Sequence, residues 1–354
     1  MTILISIIWF LIVIAVLILA HEFGHFITAK ASGIIVEEFG LGFPPKLFSI
    51  KRGETVYSIN AIPLGGFTKM AGEEDATVPR SLASKGKATR VLVLAAGSIM
   101  NFLLPLLLFA IAFMVPHNVV IGKVVVEAVS QNSPAAVAGI EPGDIILSVN
   151  GNPLGSSADL RRYVRLNLGN EITLVIQHPD STKETVKMIP RWKPPAGQGA
   201  VGIGSNTTDA ITTSQSEPFW RAIPMSVVSC VETFVLFKNE IISMIIGSTP
   251  LTISGPVGIA QLTGEVARTG ISPLLEFAAF LSINLAIVNL LPIPGLDGGR
   301  IVFVFLEWVL RGRRISAKTE GTIHLIGYAL LIALILLVTY QDIIRIISGE
   351  SLIP

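Results

Sequence analysis

Four stretches of this chain are apolar over the thickness of a bilayer, and no other feature restricts its fold so strongly: Thr2–Phe26, Val91–Val115, Leu274–Leu291 and Thr322–Tyr340. About 30 Å of hydrocarbon calls for roughly 20 consecutive apolar residues in a helix. Within that layer an unpaired amide has no water to bond, so each stretch must satisfy its own backbone as a helix. The first of them is read as a retained helix and not a signal peptide, because no basic segment precedes its long apolar run and no small-x-small cleavage site follows it. With 51% hydrophobic and 14% charged residues, the 354-residue chain is too apolar for an ordinary soluble protein, yet long enough for a membrane core and one further domain.

The charges between the spans set an orientation. Lys30, Lys46, Lys51, Arg52, Lys69, Arg80, Lys85, Lys87 and Arg90 follow the first span, and Arg300, Arg311, Arg313, Arg314 and Lys318 follow the third. Both basic loops are therefore expected in the cytoplasm, with the N-terminus, the segment Pro116–Pro273 and the C-terminus outside. A fifth apolar stretch, Met225–Gly247, carries Glu232, Lys238 and Glu240 near its middle and is expected to lie on the outer surface as an amphipathic helix. A net charge of +1 with dispersed lysines and arginines offers nucleic acid no basic field. The single cysteine, Cys230, can make neither an internal disulfide nor a cysteine metal site.

At the inner end of the first span stands His21-Glu22-Phe23-Gly24-His25, after a run from Ile3 to Ala20 whose one polar residue is Ser6. Histidines at i and i+4 of a helix project from one face and can share a metal, with the intervening glutamate nearby as general base. Ionisable side chains at membrane depth cost about 2.5 kcal/mol or more each, so three within five residues point to function. A catalytic zinc needs a third protein ligand and an open position for water. The best candidate is Asp297, in the Pro- and Gly-broken segment Asn289-Leu290-Leu291-Pro292-Ile293-Pro294-Gly295-Leu296-Asp297-Gly298-Gly299-Arg300. Two crossings separate it from His25, so both motifs reach the same side of the membrane. The ligand set favours zinc over other divalent ions without excluding them. His117, His178 and His324 lack a spaced partner and are read as structural or solvated, His324 as a polar packing contact within the fourth span.

Between the second and third spans, short β-branched runs (Lys123–Val129, Ile145–Val149, Glu171–Gln177, Glu184–Ile189) alternate with turn residues such as Asn150-Gly151 and Pro142-Gly143-Asp144, which predicts a small strand-rich domain. Its stretch from Ser133 to Gly151 resembles PDZ domains of bacterial envelope proteases. That likeness implies either capture of an extended tail on a strand edge or gating of substrates by size; a plain spacer is the alternative. The expected plan is an α-helical polytopic membrane protein with an inserted β-rich PDZ domain: residues 1–116 as membrane core with a cytoplasmic β-hairpin, 117–206 as the PDZ domain, 207–273 as an amphipathic linker, and 274–354 as membrane core with the LDG motif.

HEFGH in the first span, NLLPIPGLDGG after the third and a PDZ domain between them together resemble the site-2 protease family of intramembrane zinc metalloproteases, over nearly the whole chain. The resemblance implies zinc held by His21, His25 and Asp297, and water activated by Glu22. It implies that Asn289 and Pro292 hold an unwound substrate strand; helix capping and breaking is the other reading of these two residues. Tyr57–Met70, with Gly65 and Gly66, is similar to the family's membrane-associated β-hairpin, whose edge can pair with substrate; a plain cytoplasmic turn is the other reading. Gly97-Ser98-Ile99-Met100-Asn101 is similar to a GPxxN signature, with Ser98 in place of proline, which leaves the bend there open. Ser254-Gly255-Pro256-Val257-Gly258-Ile259 also matches a family segment, with no role derivable from the residues.

The expected activity is hydrolysis of peptide bonds within transmembrane segments of single-pass proteins already shortened by another protease, in a bacterial inner membrane, with anti-sigma factors or remnant signal peptides as substrate kinds and the active site near the cytoplasmic side. A non-catalytic PDZ scaffold is the competing reading, separable by Glu22→Gln. A transporter is a second, disfavoured by the lack of an internal repeat and by the complete ligand set.

Overall fold

The computed structural model describes residues 2–73, 75–249 and 254–348; linker residues 250–253 and the C-terminal 349–354 lie outside the described residues. In chain order the elements are α1 (Thr2–Ala31), β1 (Val36–Arg52), β2 (Thr55–Met70), α2 (Lys87–Met114), β3 (His117–Val129), α3 (Pro134–Val137), β4 (Ile145–Val149), β5 (Asn152–Pro153), α4 (Ser157–Leu166), β6 (Ile172–Gln177), β7 (Lys183–Met188), β8 (Ile203–Gln215), α5 (Phe219–Ile245), α6 (Pro256–Thr269), α7 (Ile271–Leu290), α8 (Asp297–Val309) and α9 (Ala317–Ser348). They fall into two compact units, residues 1–112 with 253–354, and residues 113–252.

In the first unit the helical spans run past the predicted apolar limits, because α1, α2 and α9 continue into polar turns at their ends. Small residues let the spans approach: a Cβ on Gly24 of α1 would sit 2.3 Å from the Ala96 carbonyl oxygen of α2. The loop between α1 and α2 is a long bent hairpin, β1 paired antiparallel with β2. Residues 36–41 face 66–70 and also 56–59, and 46–52 face 55–60, so residues 66–70 form one border of the folded ribbon. Ala29, Ile34, Val36, Met70, Leu82, Val93, Leu94 and Val304 pack the hairpin base against α1, α2 and α8.

Past Leu290 the chain leaves the helix, as two prolines with no amide hydrogen dictate, and resumes at Asp297. Gly298 and Gly299 permit a return close to the break: a Cβ on either would lie 2.2 Å from the Leu291 oxygen or 2.4 Å from the Ile293 oxygen.

The segment Gly255–Ile259 gains a structural account here. Asp342 of α9, buried to 1% exposure, accepts the Gly258 amide at 2.8 Å and pairs with Arg345 at 2.7 Å. A Cβ on Gly255 would meet the same carboxylate at 2.8 Å. Both glycines leave room for an acidic group at the amino end of α6, where helix amides and dipole favour it.

The second unit carries an antiparallel sheet in the order β7-β6-β4-β3-β8, with β5 on β4; β4, β6 and β7 match the predicted strands to within one residue, whereas β3 starts six residues earlier and β8, which no predicted strand covers, runs across the expected domain boundary at 206 into the stretch read as an amphipathic linker. Alternation in β6 turns Ile172, Leu174 and Ile176 inward onto Val124, Ile146, Leu160 and Val164. Ser133 and Ser156 cap α3 and α4 by accepting the Ala136 and Asp159 amides.

Five described helices, α1, α2, α5, α7 and α9, have the length and apolarity of a span, one more than the four predicted. The additional helix is α5, and its charges have partners within its own unit. Glu232 pairs with Arg162 of α4, Glu240 with Arg165 at 2.5 Å, and the Asn239 amide donates to the Arg165 carbonyl at 2.8 Å. Its buried residues are small or polar (Ala222, Ser226, Ser229, Asn239, Ser243), whereas Phe219, Trp220, Val228 and Val231 are exposed. That is the inverse of a helix on a water-soluble core.

Candidate metal centre

Helical spacing on α1 brings the rings of His21 and His25 to 4.8 Å between centroids, nearly perpendicular at 78°. α2 crosses behind them with Val93, Gly97 and Asn101, themselves spaced i, i+4, i+8 so that they share a face. Gly97 lies against both rings: a Cβ there would fall 2.4 Å from His25 Nε2 and 2.6 Å from His21 Cε1. On the far sides, His25 Nδ1 donates to the Val93 carbonyl at 2.8 Å and the Asn101 amide lies 3.4 Å from His21 Nδ1. With Nε2 directed at a cation, His21 carries its proton on Nδ1, and the Asn101 amide oxygen, otherwise a buried acceptor without a partner among the described residues, is then its natural mate. Ser282 of α7 in turn donates to the Asn101 carbonyl at 2.9 Å.

Both Nε2 atoms converge on the carboxylate at the start of α8. Asp297 Oδ2 is 3.1 Å from His21 Nε2 and 3.2 Å from His25 Nε2, and the two nitrogens are 3.2 Å apart. The imidazoles are buried, at 8% and 6% exposure. Ligand atoms of a tetrahedral zinc with bonds of about 2.0–2.1 Å lie roughly 3.3 Å from one another. The triangle has that size, and its donors (two imidazole nitrogens and a carboxylate oxygen) suit zinc.

The triangle opens on a cavity of about 410 Å³ that Glu22, Gly66, Thr68, Glu73 and Arg300 help to line. The border segment of the hairpin runs beside the last turns of α1. Thr68 Oγ1 donates to the Glu22 carbonyl at 3.0 Å, and a Cβ on Gly66 would be 3.0 Å from Glu22 Cγ. Glu73 accepts the Met70 amide at 3.1 Å and pairs with Arg300 at 2.5 Å, which ties the hairpin to α8 one turn beyond Asp297.

Of the residues the sequence singles out, His21, His25 and Asp297 come together, and Glu22 and Gly66 share their cavity. Gly65 does not line it; with φ of +130° it packs on the Phe43 ring. Asn289 is half-buried at the end of α7 and Pro292 exposed in the break, and neither lines the cavity. α2 runs as one helix through Ser98. The supports from α2 were visible only as a signature. Gly97 and Asn101 repeat the i, i+4 interval of the histidines they face, but a single sequence does not say that the two faces meet.

The remaining histidines have other partners. His117 Nδ1 lies 2.9 Å from the Val115 carbonyl. In the second unit His178 bonds the buried Asp144 at 2.8 Å and Glu184 at 3.2 Å, and these carboxylates, Asp144 first, raise its pKa above the ordinary value.

A family model for peptidase family M50 matches residues 9–334. A Clostridium perfringens chain provisionally named a zinc metalloprotease is 40% identical over 342 residues, spanning 96% of this chain and 98% of that one. The zinc metalloprotease RasP of Geobacillus kaustophilus is 31% identical, spanning 96% of this chain and 97% of its own. The regulator of sigma-W protease RasP of Bacillus subtilis is also 31% identical, with 96% and 99% spanned. A solved PDZ domain of an SdrC-like protein from Listeria monocytogenes covers 24% of this chain at 24% identity and a TM-score of 0.21, a superposition too slight to argue from.

Proposed function

This chain belongs to peptidase family M50 and is a multi-pass membrane zinc metalloprotease, and on that premise we propose that it hydrolyses peptide bonds within transmembrane segments of other membrane proteins at the His21-His25-Asp297 centre. The observation that carries this reading is the convergence of three donors from α1 and α8 on one point, with the Glu22 carboxylate in the same cavity.

His21 Nε2, His25 Nε2 and Asp297 would hold a zinc ion, which would supply Lewis acidity to polarise a carbonyl and acidify water. The chain's own groups do the rest. Val93 and Asn101 fix the rings so that each Nε2 faces inward. Glu22 takes the proton from the attacking water and gives it to the leaving amine. A substrate helix hides its amides in its own hydrogen bonds, so it must unwind before attack. Freed amides in lipid need partners. Residues 66–70, as a border of the hairpin ribbon beside Glu22, can supply backbone groups to an extended substrate. Asn289, at the end of α7, and Pro292, in the break, are proposed to hold the unwound substrate strand from outside the cavity lining.

By the distribution of basic loops, this centre lies near the cytoplasmic side and residues 113–252 lie outside, with α5 along the outer surface, its apolar side in lipid. There the β-rich unit screens or reads substrates already cut by another protease. The sigma-regulating name of the Bacillus subtilis relative makes anti-sigma factors the first class to try.

The test is cleavage of a tagged single-pass protein with a short outer stub by the purified chain in detergent. The expected result is a cut within the span that Glu22→Gln and a chelator each abolish. Equal cleavage by Glu22→Gln would remove Glu22 as base. Wild type inactive on several stubs would leave a PDZ scaffold.

A further inference from the structure

The break between α7 and α8 frees backbone groups of residues 291–296 from helical pairing, and one of them is met from an unexpected quarter. The Gly295 amide donates to Nδ1 of His324, on α9, at 3.0 Å. The same side of α9 cradles the break. A Cβ on Gly327 would lie 2.2 Å from the Pro294 carbonyl oxygen, and one on Gly295 would lie 3.0 Å from the Tyr328 amide nitrogen, so residues 324, 327 and 328 form the seat on which Pro294 and Gly295 rest. The imidazole is held from a third direction by Phe303 of α8, ring centroids 5.3 Å apart.

An amide can only donate, so His324 Nδ1 must hold a lone pair and the ring proton sits on Nε2. That atom is buried with no partner among the described residues. A leucine or phenylalanine would fill the space without burying an unpaired Nε2–H, but would take the acceptor away from the Gly295 amide. The histidine is therefore explained by its acceptor and not by its bulk.

Gly295 stands two residues before Asp297, and between them the Leu296 amide closes a turn onto the Ile293 carbonyl at 3.1 Å. Whatever fixes the Gly295 peptide plane fixes the direction in which α8 starts, and with it the Asp297 carboxylate. We propose that His324 is a positioning residue of the metal centre: its Nδ1 anchors the Gly295 amide and thereby aims Asp297 at His21 and His25. This inference rests on the assignment of those three residues as ligands.

Two amide side chains separate acceptor placement from packing. Asparagine carries its oxygen near the position of Nδ1, and glutamine carries its own near Nε2. Zinc affinity of the full-length protein in detergent, measured by competition with a chromophoric chelator, reads the effect without substrate. His324→Gln and His324→Leu are expected to weaken zinc binding roughly 10–100-fold, the usual effect of losing a group that orients a ligand, while His324→Asn stays within a few-fold of wild type. Equal affinities for the Asn and Gln variants, whether both retained or both lost, overturn the proposal. Should His324→Leu fail to fold, that pair decides alone. A wild type that binds zinc tightly but cleaves nothing would sink the protease reading and leave this one standing, whereas a wild type that holds no zinc sinks both.

Discussion

Gly97→Ala adds one methyl group where the structure has no room for it. The new Cβ would stand 2.4 Å from His25 Nε2 and 2.6 and 2.7 Å from His21 Cε1 and Nε2. Carbon and its non-bonded neighbours settle at about 3.5–4.0 Å, so α2 and the paired rings must separate by roughly 1 Å. The donor triangle has sides of only 3.1–3.2 Å, and a shift of that size swings both Nε2 atoms off their common point. Misplacement by 1 Å typically costs about 100-fold in rate, equivalent to about 2.7 kcal/mol of barrier. Zinc affinity should fall at least as far, because two of three ligands move together. The helix itself gains, since alanine is favoured over glycine by about 1 kcal/mol in a helix interior, so poor folding of α2 cannot be blamed. The measurement is zinc affinity by chelator competition alongside cleavage of the stub substrate, with helicity checked by circular dichroism. A variant that keeps its helicity, binds zinc and cleaves as wild type does would refute the claim that α2 sets the position of the imidazoles.

Two further outcomes follow from groups away from the triangle. Arg90 and Glu307, both under 9% exposed and 2.5 Å apart, join α2 to α8, with Arg314 also on Glu307 at 3.3 Å; Glu307→Gln leaves Arg90 buried without its counter-ion and should destabilise the first unit by about 3–5 kcal/mol, read as lost hydrogen-exchange protection in α2, and unchanged protection would contradict it. In the second unit, Asp144 and then Glu184 raise the His178 pKa, so their contribution is complete below the unfolded value near 6.5 and fades as pH rises through the higher folded value. Exchange protection of β4 and β6 should therefore fall from pH 6 to pH 9 in wild type and stay flat in His178→Gln; parallel profiles would argue against the linkage.

The spans, the inner strands of the β-rich unit and the candidate donors that the fold brings together were legible because each writes a local signal: uninterrupted apolarity, alternation between turns, and donors at helical spacing beside a broken segment. What escaped is the part made by two elements meeting. Val93 is an ordinary residue in an apolar helix, and Gly97 and Asn101 only the ends of a signature, until α1 is laid against them. His324 looked like packing because its partner is a backbone amide 29 residues away. Glu232 and Glu240 read as the polar side of an amphipathic helix, but not as partners of Arg162 and Arg165, which sit on α4. Asp342 and the glycines of α6 are a third case, readable as an acid and as loop formers, but not as one joint.

His25 and Asp297 touch across 272 residues of chain, which gives the centre a history as well as a shape. During synthesis α1 enters the membrane first, carrying two imidazoles that can offer a cation only an incomplete set of donors. The third arrives after the hairpin, the second span and the whole β-rich unit have been made. With the donor set proposed above, a chain stopped anywhere before residue 297 is a membrane protein with no working blade. The order of the sequence keeps a protease disarmed while it and its neighbours are still being threaded into the same bilayer.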